Sequence, residues 1–492
     1  MIFPRNASVV LLAAIIAGCA SQPVRSTHSD ASDAIFDTGS RSWLAGDHHI
    51  HSEFSVKYVE SADGKSPPTP QFGGDGRYSI ADNARKAREH GLAWTVATDH
   101  GGPNHSKISH DHTWPALQAA RREVPEVLQF FGMEFDTPGG DHSSLIMPHT
   151  HHEREDLHAI ESRYSQRDAW PRDPARDTEP KMLHALEHMR SLAAPPVLIA
   201  NHPSRSATGV GEYGKYTPVE FRAWNDTAPK VAVGMEGAPG HQAGGLNQDG
   251  SLDPEGARGG YRNSPTLGGF DQMTARLGGF WDSMLGEGRR WWVTSTSDAH
   301  RHWREGGSDF YPGEYSKTYV LAERTHADVL DGLRNGRVFV TTGDLISALD
   351  VVVSAADGSG RAGIGGTAHV HAGQTVRVAI RVRDPAGANH GGRTPEVARV
   401  DLIVGDVTGP SANRANDANP TTRVAKRFTA SDWTRDGEYL VMTHEFPASA
   451  QGQYLRVRGT NTAELEPSPD PRGEDPWSDL WFYSNPVFID AH

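Results

Sequence analysis

Apolar positions along the chain fall into two textures. From residue 43 to about 342, short apolar runs at 43–49, 92–98, 127–133, 142–147, 197–200, 231–235 and 291–297 predict strands. Between them, a period of about 3.6 residues predicts helices over 78–90 (closed by Gly91), 178–192 and 270–285. Strand alternating with helix points to α/β with parallel strands, and seven or more such units favour a barrel over an open sheet. After residue 342 the helical period disappears. Runs at 351–354, 376–382, 400–404, 439–446 and 454–458 are separated by Gly, Pro, Asn and Asp, which predicts an antiparallel β-sandwich with long loops at 413–422 and 464–479. The chain thus reads as a barrel over 43–345 and a sandwich over 346–492, with neither internal repeats nor coiled-coil heptads.

The amino-terminal 19 residues have a different pattern: Arg5, an apolar run from Ala7 to Ala17, then Gly18 and Cys19. That run is a secretory signal, too short to anchor a chain stably across a bilayer. Ile16-Ala17-Gly18-Cys19 also resembles the lipobox of bacterial lipoproteins, which would make Cys19 the lipidated first residue of the mature chain; the alternative is an ordinary cleaved signal. Residues 20–42 read as a flexible tether. Ala20 and Ser21 after the cysteine, by resemblance to lipoprotein sorting, imply an outer-membrane lipoprotein facing the periplasm.

Composition narrows the chemistry. The 492 residues contain 26 His and 1 Cys, which excludes a disulfide scaffold, a Cys-based zinc fold and an iron–sulfur protein, and leaves a nitrogen/oxygen metal site open. The net charge of −14 is opposite in sign to that of a chain built to neutralise a nucleic acid polymer, so no such partner is expected. A short anionic ligand in a local basic pocket remains compatible with it.

Several familiar motifs fail on inspection. Gly209-Val-Gly-Glu-Tyr-Gly214 matches G-x-G-x-x-G, but Tyr216 and Pro218 follow where a nucleotide loop needs a hydroxyl and a helix. Neither a G-x-S-x-G elbow nor an H-E-x-x-H helix is present. His369 and His371 lie in the β-rich part without an acidic cluster to complete a shell.

Six short motifs stand instead at the carboxyl ends of the predicted strands: Asp47-His48-His49-Ile50-His51, Thr98-Asp99-His100, Gly132-Met133-Glu134, Gly140-Asp141-His142, Asn201-His202-Pro203-Ser204-Arg205 and Ser297-Asp298-Ala299-His300. A barrel gathers those ends on one rim. His49 and His51, two apart on a strand, point to one face, and Asp298 and His300 repeat the spacing on the strand expected beside it. Two such pairs can hold a metal with nitrogen and carboxylate ligands, and Glu134 is placed to bridge to a second ion.

In order and spacing these motifs resemble the PHP (polymerase and histidinol phosphatase) superfamily over residues 43–345. The resemblance implies a distorted (β/α)7 barrel with two or three divalent metal ions that hydrolyses phosphoesters. His49, His51, Glu134 and Asp298 would hold one ion, Glu134, His142 and His202 another, with His100 serving a third site and His300 closing the shell. Where trinuclear members carry a further His or Asp after H-x-H, this chain has Lys57; Asp63 or Asp75 could substitute, or Lys57 could contact substrate phosphate. Arg205 would clamp a phosphate oxygen, and Glu236 stands behind the ligands or faces substrate. Asp298 or His300 would protonate the leaving group. Carboxylates mixed with imidazole suit Mn, Fe or Zn. The expected activity is a metal-dependent phosphoesterase acting on a small anionic substrate; a carbamate, ester or amide hydrolase on the same centre, or a non-catalytic envelope-binding lipoprotein, are the alternatives.

Overall fold

The computed structural model describes residues 35–492, so the secretory signal, Cys19 and most of the expected tether lie outside the described residues. Thr38–His492 forms a unit distinct from Met1–Asp37, and the description that follows is of that unit. Its first strands are β1 (Ser42–Ile50), the hairpin β2 (Lys57–Val59) and β3 (Thr69–Gln71), β4 (Trp94–Ala97), β5 (Leu128–Asp136), β6 (His142–Ile146), β7 (Val197–Ala200), β8 (Ala232–Ala238) and β9 (Trp292–Ser295). Then follow β10 (Ser316–Ala322), β11 (Val338–Thr342), β12 (Ala348–Ala355), β13 (Thr367–Val370), β14 (Thr375–Arg383), β15 (Arg399–Asp406) and β16 (Arg423–Phe428). The last are β17 (Thr434–Asp436), β18 (Tyr439–Pro447), β19 (Gln453–Thr460), β20 (Trp481–Ser484) and β21 (Val487–Ala491).

The molecule is a mixed α/β protein with one large mixed sheet. Its path runs β13-β21-β19-β20-β11-β10-β1-β4-β5-β6-β7-β8-β9, with β15 attached to β19 and β16 to β15; β12-β14-β18-β17 form a separate antiparallel sheet. All seven predicted strands of the first texture are present, but not all run parallel. β6 is antiparallel to both β5 and β7, because the five residues between β5 and β6 cannot make the crossover that a parallel pair needs. β10, absent from the prediction, returns antiparallel to β1 and carries the sheet into the β-rich segment through β11 and β20. Continuous pairing does not close the path: β9 and β1 meet at a single parallel bridge, Ile50 to Ala299. Ser297 donates to Asp47 across that seam through its amide (3.0 Å) and hydroxyl (2.5 Å).

Local sequence explains the helices that back this sheet. Ser79 caps Ile80–Glu89 by accepting from the Asp82 amide, and the helix buries Ile80, Ala84 and Ala87. Thr178 caps Glu179–Ser191, with Met182, Ala185, Leu186 and Met189 buried at helical spacing. The single helix expected over 270–285 is two, Gln272–Ala275 and Phe280–Gly286, because Gly278 turns the chain at φ +70°. One apolar cluster fills the space between helices and sheet around Trp94, Phe130, Trp224, Trp281 and Trp291. A second joins Val351, Val378 and Ile380 of the four-stranded sheet to Leu402, Val457 and Phe482 of the large one. Among the described residues no helix is long and apolar enough to cross a membrane.

Candidate metal centre

The strand ends bring the predicted ligands together. Register shifts occur in the β1–β4 pairing between Asp47 and Ile50 and in the β8–β9 pairing between Glu236 and Ala238, irregularities of the kind that re-aim side chains beside functional sites. Glu134, fully buried on β5, is the hub. Its Oε1 lies 3.1 Å from His49 Nε2, 3.0 Å from His142 Nδ1 and 3.0 Å from His202 Nε2, and its Oε2 lies 2.6 Å from His100 Nδ1. Asp298 Oδ1 lies 3.2 Å from His49 Nε2 and 3.0 Å from His51 Nε2. His300 stacks on His51, with ring centroids 3.7 Å apart, and its Nε2 sits 3.1 Å from that of His100.

Partners behind the rings set which nitrogen faces inward. His49 Nδ1 meets Glu236 (2.7 Å), His51 Nδ1 meets the Ser55 hydroxyl (2.8 Å), and His300 Nδ1 donates to the Asp298 carbonyl (2.9 Å). With Nδ1 so engaged, Nε2 of His49 and His51 faces Glu134 and Asp298, whereas Nε2 of His300 faces His100 and Asp75. Glu236 is buried; besides His49 it accepts from the His202 amide (2.6 Å) and the Thr296 hydroxyl (2.9 Å). It therefore positions two imidazoles from behind rather than facing substrate.

Charge follows geometry. Burial would raise Glu134 and Asp298, but the imidazoles around them hold both carboxyls well below the usual carboxylate range. Burial, helped by His300 and His100, lowers His51; burial and Arg205 lower His202; burial also lowers His100. Burial would lower His49 and His241 too, but Asp298 with Glu134 and Glu236 around the first, and Asp298 with Asp309 around the second, raise both, so those two rings would release a proton as a cation binds. The donor set fits one in a second respect. His51 Nε2, Glu134 Oε2 and Asp298 Oδ1 are buried atoms without a well-formed hydrogen bond, although His51 Nε2 lies within 3.7 Å of both oxygens and His100 Nδ1 within 2.6 Å of Glu134 Oε2. Each such orphan costs about 1–3 kcal/mol, and a divalent cation among them would satisfy all three. His49, His51 and Glu134 form one group able to hold a metal ion, and His100, Glu134 and His142 form another.

The remaining predicted residues divide. Asp75 Oδ2 lies 3.5 Å from His100 Nε2 and 3.7 Å from His300 Nε2, whereas Asp63 is spent on its own turn, accepting from the Lys65 and Ser66 amides. Lys57 is exposed on the β2–β3 hairpin and does not line the cavity above the cluster. That cavity, about 300 Å³, is bordered by Asp75, His100, Arg205, His241, His300 and Arg301. Arg205 is already committed, donating to Asp141 at 2.8 Å. Arg301 is half-buried, and among the described residues its guanidinium has no hydrogen bond or ion pair.

Sequence reasoning missed Arg301 and His241. His241 Nε2 is 3.0 Å from Asp298 Oδ2, and its Nδ1 is 2.5 Å from Asp309 Oδ1. It lies in the Gly-rich stretch after β8, where neither helical nor strand period marks it. Backbone geometry does mark it. Five described non-glycine residues have positive φ, and His202 (+32°), His241 (+54°) and Asp298 (+49°) are three of them. Conformations of that kind cost roughly 1–3 kcal/mol each and concentrate at functional sites.

No known protein-family profile matches the chain, and no curated protein matches it in sequence. Among solved structures, a chitin binding domain from Burkholderia pseudomallei aligns at 10% identity over 25% of this chain and 56% of that one. Its TM-score is 0.14, and a likeness at that level carries no argument.

Proposed function

We propose that the chain is a metal-dependent hydrolase of the PHP type, a phosphoesterase acting on a small phosphomonoester or phosphodiester. The observation that carries this reading is the buried convergence of His49, His51, Glu134 and Asp298, in which Asn201 Nδ2 donates to Glu134 Oε1 (3.1 Å) while His51 Nε2, Glu134 Oε2 and Asp298 Oδ1 are left without a well-formed hydrogen bond. His142 and His202 on the other side of Glu134 extend the set to a second position, and His100, His300 and Asp75 extend it toward a third. On this reading the strand path β1-β4-β5-β6-β7-β8-β9 is a distorted barrel, its seam stitched by the Ile50–Ala299 bridge and by Asp47.

Bound divalent ions would supply Lewis-acid activation of water and neutralise charge building on the phosphoryl oxygens. The chain's own residues do the rest. Glu236 and Ser55 hold His49 and His51 in the tautomers that face the reacting centre. Arg301, uncommitted on the cavity wall, is the guanidinium available to pair with an anionic substrate group; Arg205, tied to Asp141, fixes the His202 side. A cavity of about 300 Å³ stands at the small end of ligand sites, which suits a compact phosphoester rather than a polymer. His100, whose Nδ1 faces Glu134 and whose Nε2 borders the cavity, is the ring from which a leaving group would receive its proton.

The proposed setting is the bacterial envelope, with Cys19 as the lipid attachment point. Assays of metal-loaded protein on p-nitrophenyl phosphate, bis-p-nitrophenyl phosphate and a naphthyl carbamate test the activity. Hydrolysis of a phosphoester is expected. Turnover of the carbamate alone would replace the phosphoesterase reading, and no turnover with metal bound would favour a binding role.

A further inference from the structure

His241 is absent from the ligand set that sequence motifs supply, yet its surroundings repeat those of the ligands. His49 and His51 each have Nδ1 engaged by an oxygen outside the cluster, from Glu236 and Ser55, and Nε2 turned inward. His241 has Nδ1 against Asp309 Oδ1 and Nε2 against Asp298 Oδ2, and its ring faces that of His300 with centroids 5.7 Å apart. Asp309 is itself fixed: its other oxygen accepts from the His300 amide (2.7 Å) and the Arg301 amide (2.9 Å). His241 Nε2 thus faces a ligand oxygen 3.0 Å away with an acid behind its Nδ1, the same disposition as His49, whose Nδ1 is backed by Glu236 and whose Nε2 faces Asp298. The loop is built for this approach. Gly240 packs so closely on Ser297 and Asp298 that no Cβ fits, and the His241 amide bonds the Ser297 carbonyl (3.3 Å).

We infer that His241, oriented by Asp309, is a metal ligand that shares Asp298 with His49 and His51, so that the two oxygens of Asp298 serve two cation positions. The inference rests on the metal-centre reading above. It also gives the chain an imidazole on the cavity side of the cluster, while Lys57, at the place where the family pattern has a ligand, stays outside the cavity. His300 and Asp309 complete a group able to hold an ion there.

The test compares the full chain with H241A and D309N, each saturated with Mn²⁺ alone, desalted, and measured for ions per chain and thermal unfolding. H241A is expected to hold one Mn²⁺ fewer per chain than the unsubstituted protein. In D309N the side-chain oxygen can still accept from the His300 and Arg301 amides, but its amide group then faces a protonated Nδ1. That variant is expected to keep the full count at saturation, with one ion bound 10–100-fold more weakly. It remains informative should H241A fold poorly. Equal counts and affinities in all three proteins would overturn the inference and leave His241 as an imidazolium bridging two carboxylates. Loss of every ion from H241A would also overturn it, because the residue would then support the whole cluster. An unsubstituted chain that binds no Mn²⁺ would instead fail the underlying reading, whereas a loaded chain inert toward phosphoesters would leave the His241 assignment standing.

Discussion

Replacing Glu236 by Gln removes a charge from the centre with little change in shape. The Glu236 carboxylate receives three donors: the His49 ring and the Thr296 hydroxyl on Oε1, and the His202 amide on Oε2. A glutamine offers one acceptor oxygen and one NH₂ group, so in either orientation its NH₂ faces a donor. Keeping the oxygen on His49 and Thr296 sacrifices the bond to the His202 amide, which holds that residue at φ +32°. The alternative frees the His49 ring to rotate. A hydrogen bond to a charged partner contributes about 1.5–3 kcal/mol. Losing one in the metal-binding state corresponds to roughly 10- to 150-fold weaker metal affinity at 1.4 kcal/mol per decade. Competition between E236Q and a fluorescent chelator for Zn²⁺ or Mn²⁺ measures this directly, with circular dichroism as the control for folding. Affinity within twofold of the unsubstituted chain would refute the claim that Glu236 positions the ligands.

Three further outcomes are expected. Burial alone would lower His105, but Glu161 beside it and the Phe54 carbonyl raise it to about 9. The folded state therefore holds this proton more tightly than the unfolded chain, and the stability it gives is complete below about pH 6.5 and lost as pH rises through 9. Urea titrations should show roughly 3 kcal/mol of that loss, flattened in H105Q; an equally steep profile in H105Q would assign it elsewhere. R301A should raise KM for the phosphoester about 10-fold or more with metal content unchanged, whereas R205A, which leaves Asp141 with only the longer Lys215 pair (3.8 Å) beside His202, should weaken metal binding; the opposite pattern would exchange their roles. In a bacterial host, C19S should move the protein from the membrane fraction to the soluble one, and unchanged fractionation would remove the proposed anchor.

How far the sequence could be read depended on periodicity. His49, His51, His100, Glu134, His202, Asp298 and His300 are legible because each stands near the carboxyl end of a strand or at the turn beyond it, and those ends gather on one rim. His142 instead opens β6 at its amino end and reaches the same rim because β6 runs antiparallel. β6 was legible as a strand but not in direction, although the short link after Asp136 already required an antiparallel return. β10 and β11 were not anticipated, and they carry the first sheet into the carboxyl-terminal strands without a break. Glu236 is legible as a candidate with two alternatives, behind the ligands or facing substrate; its bonds to the His49 ring and the His202 amide fit the first, which a strand's period alone does not decide. His241 and Arg301 sit on irregular backbone, where no period operates. Only the positive φ of His241, the close approach of Gly240 and the lack of partners around Arg301 single them out.

The central claim is that the buried His/Glu/Asp cluster exists to bind divalent cations. Elemental analysis of the purified chain beside H49A and D298A tests it most directly. The account predicts at least two divalent ions per chain in the unsubstituted protein and their loss, together with turnover, in both variants. A folded chain that retains no ion at micromolar free metal, or variants that keep the full complement, would contradict it.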